Sequence, residues 1–302
     1  METKPIIAAL ALKLKKKQIL KNVSMKLHTT FKVGGAAKIM ALPETEEEIQ
    51  YCIECCKALD APYYIIGRGS NLLVLDAGYD GVVIKLGEGF GRIEVDGEIV
   101  TAQAGALLSN VAKAAADHNL AGMEGGSGIP GSIGGGVVMN AGAYGWEMKD
   151  SIMGATGITP EGKIISLTKE DLKLTYRHSA LQDNGIIITS VRLKLHLGDA
   201  AKIKANMSSL KKQRNDHQPV TFPNAGSIFK RSGVSFTAKL IEEAGLKGLA
   251  LGGAVVSPLH AGFIINSDHA SAEDILNLIK IIKLTVYDHS GVKLEEEIKI
   301  LG

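Results

Sequence analysis

The chain has 302 residues, 45% of them apolar and 22% charged, and its 34 basic and 32 acidic side chains are interspersed to a net charge of +2. This is the size of two or three domains and the composition of an ordinary soluble globular protein, and the balanced charge leaves no electrostatic footprint for nucleic acid. The early apolar run Ile6 to Leu12 is followed by lysines, the reverse of a signal peptide, and no apolar span reaches 18 residues, so a cytoplasmic chain with no membrane insertion is expected.

In chain order, residues 1–28 are expected to form an amphipathic helix with a basic face and a link. A turn at Gly34-Gly35 leads to a short strand ending at Leu42. Pro43 to Leu59 carries a helix, with Thr45 and Glu48 spaced for a capping box. All three cysteines, Cys52, Cys55 and Cys56, lie on this helix. No fourth ligand stands nearby at metal-binding spacing, so they are expected to be core thiols. Strands follow at Tyr63 to Ile66, Leu72 to Leu75, Val82 to Leu86, and around Ile93 and Val100, then a helix over Leu107 to His118.

Beyond the next loop come strands near Ile152 to Ile158 and Lys163 to Leu167. Ile186 to Leu197 alternates strictly, with Val191, Leu193, Leu195 and Leu197 on the inner face. Helices are expected over Ala200 to Arg214 and Ser235 to Ala244, and a strand over Ala261 to Ile265. A long helix capped by Ser271 carries Ile275, Leu278, Ile279, Ile282 and Val286 on one face, and a last strand spans Ile298 to Leu301. Short strands and helices alternate irregularly, which predicts an α+β fold.

Between Gly122 and Gly145, ten of 24 residues are glycine. The apolar residues interleaved with them, Ile129, Ile133, Val137 and Trp146 among them, are not those of a solvated linker. An ordered loop around a phosphate-bearing cofactor is therefore expected. Gly126 to Gly131 matches GxGxxG literally, but a helix rather than a strand precedes it, and Ser132 to Gly136 reads as a poor helix start. What remains is a pair of Gly/Ser loops, 67–71 and 126–136, whose backbone amides could hold a diphosphate. Ser70, Asn71, Ser127 and Ser132 add side-chain donors.

Other candidates are single residues. Arg177, in Tyr176-Arg177-His178-Ser179, is either a bidentate ligand for a carboxylate or phosphate or a surface arginine in a turn. Ser227, after Gly226 and near Lys230 and Arg231, is either a proton donor or a turn serine. Glu295 and Glu297 share one face of an extended segment and Glu296 takes the other. His118 and His260 are expected to be structural.

Taken together these segments resemble the UDP-N-acetylenolpyruvoylglucosamine reductase family. The resemblance rests on GRGSN (67–71), SGIPGSIGG (127–135), NAGAYG (140–145), YRHS (176–179), PNAGSIFK (223–230), LIEEAGLKG (240–248), HAGFIIN (260–266) and LEEEI (294–298), in the family's order. The compact last domain is similar to that of the family's shorter type. One departure stands out: Arg231-Ser232 occupies the place where the family usually has Asn-Pro.

The resemblance implies a two-lobed FAD-binding domain of the vanillyl-alcohol-oxidase-like (PCMH-type) flavoproteins over residues 29–198. A substrate-binding α+β domain would occupy residues 199–302, with residues 1–28 as an N-terminal helix and link. It implies non-covalent FAD, NADPH as co-substrate and a sugar-nucleotide substrate. Gly67, Arg68, Gly69, Ser70, Asn71, Ser127, Gly128, Pro130, Gly131, Ser132, Gly134 and Gly135 become diphosphate-loop residues. Asn140, Gly142 and Ala143 run beside the cofactor, and Tyr176, Gln218, Asn224 and Lys230 contact substrate. Arg177, Ser227 and Glu297 match the family's catalytic trio. Arg177, helped by a protonated Glu297, would stabilise an enolate, and Ser227 would deliver the proton that completes the D-lactyl ether. Another FAD-dependent oxidoreductase of the same cofactor fold is the alternative; segments 223–231 and 294–298 speak for the reductase.

Overall fold

The computed structural model describes residues 1–233 and 236–302. A five-stranded antiparallel sheet is ordered Ile164–Thr168, Ile152–Ile158, Ile187–Lys194, Ile99–Gln103, Ile93–Asp96. A four-stranded sheet is ordered Ile19–Ser24, Ala36–Ala41, Tyr79–Lys85, Tyr63–Ile66, and its last two strands run parallel. A second four-stranded sheet, ordered Asn224–Ser227, Phe263–Asn266, Ala254–Val256, Ala250–Leu251, is antiparallel throughout. Mixed sheets with irregularly placed helices make the fold α+β, as the pattern of elements predicts.

The chain divides into two compact units. One comprises Met1–Lys21, Lys38–Arg68 and Gly81–Gln213; the other comprises Asn22–Ala37, Gly69–Asp80 and Arg214–Gly302. Each unit has its own core.

The first core is built by Val191 and Leu193 of the five-stranded sheet with Leu195 just beyond it, by Val111, Ala112 and Ala115 of helix Leu108–Asp117, and by Ile49, Cys52, Ile53 and Cys56 of helix Glu46–Ala58. Thr45 Oγ1 accepts the Glu48 amide at 3.2 Å. The reciprocal half of the expected capping box is replaced: the Glu48 carboxylate takes the Glu44 amide and the Gln18 side chain, both at 2.7 Å. All three cysteines are free and buried. Burial pushes the Cys56 thiol up to about 12, and the Cys52 thiol is also raised. A thiol held protonated in this way is a poor nucleophile and a poor metal ligand.

In the second unit, helix Ala272–Ser290 lays Ile275, Leu278, Ile279, Ile282 and Val286 into the core, the whole expected face. Ser271 and Asp274 form a full capping box. The Asp76 carboxylate accepts the next two amides, of Ala272 at 2.9 Å and Glu273 at 3.0 Å. Strand Leu72–Val74 pairs in parallel with Lys299–Leu301, and Phe31, Val33 and Leu73 join the same core. Leu278 is wholly buried, so Leu278→Ala should cost about 2–5 kcal/mol in urea unfolding; a loss under half a kcal/mol would mean that the helix does not carry this core.

Several expectations change. The compact units are not the contiguous stretches 29–198 and 199–302, because residues 22–37 and 69–80 pack with the C-terminal third. Residues 1–28 hold a short α-helix, Thr3–Leu10, and a strand, Ile19–Ser24, flanked by the 3-10 turns Lys16–Gln18 and Met25–Leu27, since pairing with Ala36–Ala41 overrides the local charge pattern. Leu59 and Leu197 are exposed rather than inward: Leu59 follows the end of helix Glu46–Ala58, and Leu197 lies in a separate two-residue strand, His196–Leu197. The helix expected from Ser235 runs Thr237–Glu243; Ser235 itself lies outside the described residues. Ile133–Val138 is a helix despite its three glycines. Tertiary packing requires them: a Cβ on Gly134 would sit 2.7 Å from Ala104 Cβ, and one on Gly136 would sit 3.3 Å from both Leu108 and Met148 side-chain carbons.

Candidate functional site

In the first unit the start of one glycine loop, Gly67, meets the other at Ser132. Strand Tyr63–Ile66 runs into Gly67, where a Cβ would lie 1.9 Å from Ser132 Oγ. The turn at Gly131-Ser132 is pinned by Leu108 N–H to Gly131 C=O at 2.9 Å and Ile133 N–H to Ala106 C=O at 2.7 Å. Gly131 and Ser132 are buried, yet among the described residues no backbone carbonyl accepts their amides. Buried amides of this kind suit the oxygens of a bound anion.

The remaining glycines serve different ends. Gly125 and Gly126 admit the Trp146 side chain, and its Nε1 donates to Gly122 C=O at 2.9 Å. Gly135 is exposed, and a Cβ there would meet only Ser132 Oγ, at 3.4 Å. Arg68 is exposed at the end of strand Tyr63–Ile66, and its charge, added to burial, pushes the Lys85 pKa down. Two neighbouring cations beside amide-rich loops favour a doubly charged diphosphate. These residues fit FAD.

Not every predicted donor is available to a ligand. Ser127 Oγ donates to Glu124 C=O at 2.6 Å within its own turn. Asn140, wholly buried with φ 41°, donates to Glu147 at 3.0 Å and to Thr175 C=O at 2.8 Å, and accepts from the Lys149 amide at 3.0 Å. Its side chain knits the loop rather than reaching out of it. Gly142-Ala143 pairs with Trp146-Glu147 in a short ribbon.

Arg177 sits in the left-handed region, φ 54°, at the second position of a two-residue turn closed by paired bonds between Thr175 and His178. Ser179 Oγ and Gln182 Nε2 both donate to Val138 C=O, at 2.7 and 3.0 Å, which ties the turn to the end of the glycine stretch. Half-buried Arg177 donates from Nη2 to Gly142 C=O at 3.2 Å and lies 5.0 Å from the Tyr176 ring centre. Lys149, bonded to the Glu147 carboxylate, holds that carboxyl below its usual range; Asn140 and Arg177 act in the same sense and burial opposes them.

In the second unit, segments 227–230 and 295–297 run antiparallel. Glu297 N–H donates to Ile228 C=O at 2.8 Å, and Lys230 N–H to Glu295 C=O at 2.9 Å. Ser227 and Glu297 are thus brought to one ladder, both half-buried. Asn71 Nδ2 donates to Glu297 C=O at 3.1 Å, and the Lys299 amide donates to Asn71 C=O at 2.9 Å. Gly69, with φ 69°, leaves only 2.4 Å between a would-be Cβ and His28 C=O, and half-buried Ser70 follows it.

The nearest recorded acceptor for Ser227 Oγ is Phe229 C=O, at a long 3.5 Å. Gly262 lies beside it: a Cβ there would stand 3.2 Å from Ser227 Oγ and 3.0 Å from the His260 ring. His260 Nδ1 accepts the Gly262 amide at 3.1 Å, so Nε2 carries the proton, and burial holds the ring neutral by lowering its pKa. Asn224 spends its amide on Pro219 and Phe222 carbonyls and its oxygen on the Gly226 amide. It therefore shapes the loop before Ser227. Lys230 pairs with Glu295 and Glu296 with Lys283. Gln218 Oε1 is buried without a hydrogen-bond partner. The departure Arg231 stacks its guanidinium 4.8 Å from the Phe236 ring centre. Among the described residues no cluster could hold a metal ion.

Three residues that the sequence pattern leaves unremarked emerge from this geometry: Glu147, Ser179 and Gln182. Ser179 stands within the YRHS segment, beside the arginine that drew attention. Glu147 and Gln182 have no local signal.

Two family models match: FAD binding domain over residues 37–168, and UDP-N-acetylenolpyruvoylglucosamine reductase, C-terminal domain, over residues 218–301. The chain is 46% identical over 281 residues to UDP-N-acetylenolpyruvoylglucosamine reductase of Syntrophomonas wolfei, covering 93% of this chain and 94% of that one. It is 47% identical over 289 residues to the reductase of Clostridioides difficile, covering 96% and 95%. Among solved structures it is similar to UDP-N-acetylenolpyruvylglucosamine reductase from Thermus caldophilus, with 36% identity and a TM-score of 0.80 over 94% of this chain and 98% of that one. With these matches over nearly its whole length, the chain belongs to the UDP-N-acetylenolpyruvoylglucosamine reductase family.

Proposed function

We propose that Arg177, Ser227 and Glu297 carry the reaction of this family in this chain. That reaction is the reduction of UDP-N-acetylglucosamine enolpyruvate to UDP-N-acetylmuramate through bound FAD, with NADPH as electron donor. The observation that carries the assignment is Ser227. Its hydroxyl is half-buried, weakly engaged at 3.5 Å, and held on the same ladder as Glu297.

Bound FAD supplies the hydride for the terminal methylene of the enol ether. Negative charge then develops at the adjacent carbon and its carboxylate. Arg177, held in its turn by Ser179 and Gln182, meets that charge with a preorganised guanidinium. Ser227 passes its proton to the same carbon. Glu297 is the second polar group at the developing enolate, and its main chain is fixed by Asn71 and Ile228. When FAD is bound, Gly131 and Ser132 would hold its diphosphate through their amides, and Gly67, Arg68, Gly69, Ser70, Asn71, Ser127, Gly128, Pro130, Gly134 and Gly135 would serve the same cofactor; Gly142 and Ala143 would flank it, with Asn140 as a scaffold.

Gln218, whose buried oxygen awaits a donor, binds the sugar nucleotide, as do Tyr176 and Lys230; Asn224 shapes the loop before Ser227. Residues 29–198 serve the cofactor and 199–302 the substrate, even though the compact units interleave. We place the reaction in the cytoplasm, in peptidoglycan precursor synthesis and so in cell shape and division. Among the described residues no helix is long and apolar enough to cross a membrane.

Anaerobic mixing tests the reading in two steps. NADPH should bleach a yellow protein, and UDP-N-acetylglucosamine enolpyruvate should restore the colour with formation of UDP-N-acetylmuramate. A chain that takes up no FAD, or a bleached protein that the enolpyruvyl sugar leaves bleached, overturns it.

A further inference from the structure

Gly142 pairs across its ribbon with Glu147. Because Gly142 lacks a Cβ, the Glu147 side chain closes over it: a Cβ would fall 2.8 Å from Glu147 Cγ. The carbonyl of the same glycine accepts Arg177 Nη2. One residue thus carries the arm of a carboxylate and the head of the arginine.

The carboxylate itself is fixed. Glu147 Oε2 accepts from Asn140 Nδ2 at 3.0 Å and Lys149 Nζ at 2.8 Å, and the Glu147 amide donates to Asp150 at 2.8 Å. Asn140 reaches both ends of the arrangement, since Nδ2 also donates to Thr175 C=O, the residue that opens the Arg177 turn.

We propose that Glu147 is a positioning residue for Arg177: its carboxylate, anchored by Asn140 and Lys149 against Gly142, directs the guanidinium and balances part of its charge until a substrate carboxylate arrives. The proposal rests on the role given to Arg177 above. An arginine side chain loses rotamer entropy when fixed, and fixing it before substrate arrives turns a flexible cation into a preorganised one. The internal carboxylate also dampens attraction for the substrate in the ground state, which leaves more of the interaction for the charge that develops later. Loss of the Glu147 charge therefore should not weaken substrate binding; it should spoil the aim of Arg177 in the reacting complex.

Glu147→Gln keeps the chain length and an acceptor for Asn140 but removes the charge. In the holoenzyme, FAD content, thermal midpoint and the rate of bleaching by NADPH should stay at wild-type values. Colour return with saturating UDP-N-acetylglucosamine enolpyruvate should slow about tenfold, with KM for that substrate unchanged or lower. Glu147→Asp, which restores the charge on a shorter arm, should recover part of the rate. A wild-type rate of colour return in Glu147→Gln overturns the proposal. So does a joint loss of FAD, thermal stability and both half-reactions, which marks a scaffold residue. Arg177→Lys, run in parallel, separates the two readings. If it returns colour at the wild-type rate, the assignment of Arg177 falls and the positioning role with it. If it is slow while Glu147→Gln is normal, only the positioning role falls.

Discussion

Ser227→Ala is expected to leave flavin bleaching by NADPH intact and to slow colour return with the enolpyruvyl sugar by about 10²–10⁴-fold, the usual contribution of a positioned general acid. Ser227 closes strand Asn224–Ser227, after Gly226 at φ 78°, so its direction is set by backbone rather than by a flexible arm. Among the described residues the hydroxyl has a single, long acceptor, Phe229 C=O at 3.5 Å, which leaves its proton available. Removing one oxygen from a half-buried position opens little space, so FAD content and the thermal midpoint should change little. The variant separates proton delivery from everything upstream of it. Colour return at the wild-type rate would take Ser227 out of the reaction.

The second large effect is expected at the glycine helix. Gly134→Ala places a Cβ 2.7 Å from Ala104 Cβ and 3.1 Å from Ala104 C=O. Both belong to Ala104, the buried residue just after strand Ile99–Gln103, so helix Ile133–Val138 must move. The Gly134 amide, bonded to Ala104 C=O at 2.9 Å, moves with it, and so do the amides of Gly131 and Ser132 just before. Overpacking of this kind costs about 1–3 kcal/mol, and the purified protein should be largely colourless.

Gly135→Ala is the contrast. Its Cβ has room inside the protein, and alanine in a helix is worth about 1 kcal/mol over glycine. The apoprotein should therefore be as stable or more so, while FAD should bind more weakly if the proposed cofactor loop is right, because the new methyl stands on an exposed face of it. Equilibrium FAD titration and thermal melts of the two apoproteins give the answer. Wild-type FAD affinity in both variants would remove this helix from the cofactor site.

Much of the site was legible in the sequence because its chemistry is carried by short segments. The loops at 67–71 and 126–136 announce an anion by their glycines and hydroxyls alone, and the family's segments name FAD. The alternation in strand Ile187–Lys194 and the apolar face of helix Ala272–Ser290 gave the cores directly, since a two- or 3.6-residue period reports which side is buried. What each glycine is for was not legible. Gly125, Gly126, Gly134, Gly136 and Gly142 are demanded by side chains or backbone arriving from elsewhere, such as Trp146 and Ala104. The helix at 133–138 was missed for the same reason, since propensity counts glycine as a cost and cannot see the surface it is fitted to.

By itself, then, the sequence determined the α+β character, the two core faces, the paired phosphate loops and the candidate trio Arg177, Ser227 and Glu297. Those are properties of local pattern. The tertiary structure alone decided that residues 22–37 and 69–80 fold with the C-terminal third, because the parallel pairing of Leu72–Val74 with Lys299–Leu301 spans more than 200 residues and leaves no local trace. It also decided that the Asn140 side chain bonds within its own loop. A buried amide bonds to whatever donors and acceptors the fold brings within 3 Å, here Glu147, Thr175 and Lys149, and only the folded chain can say which those are.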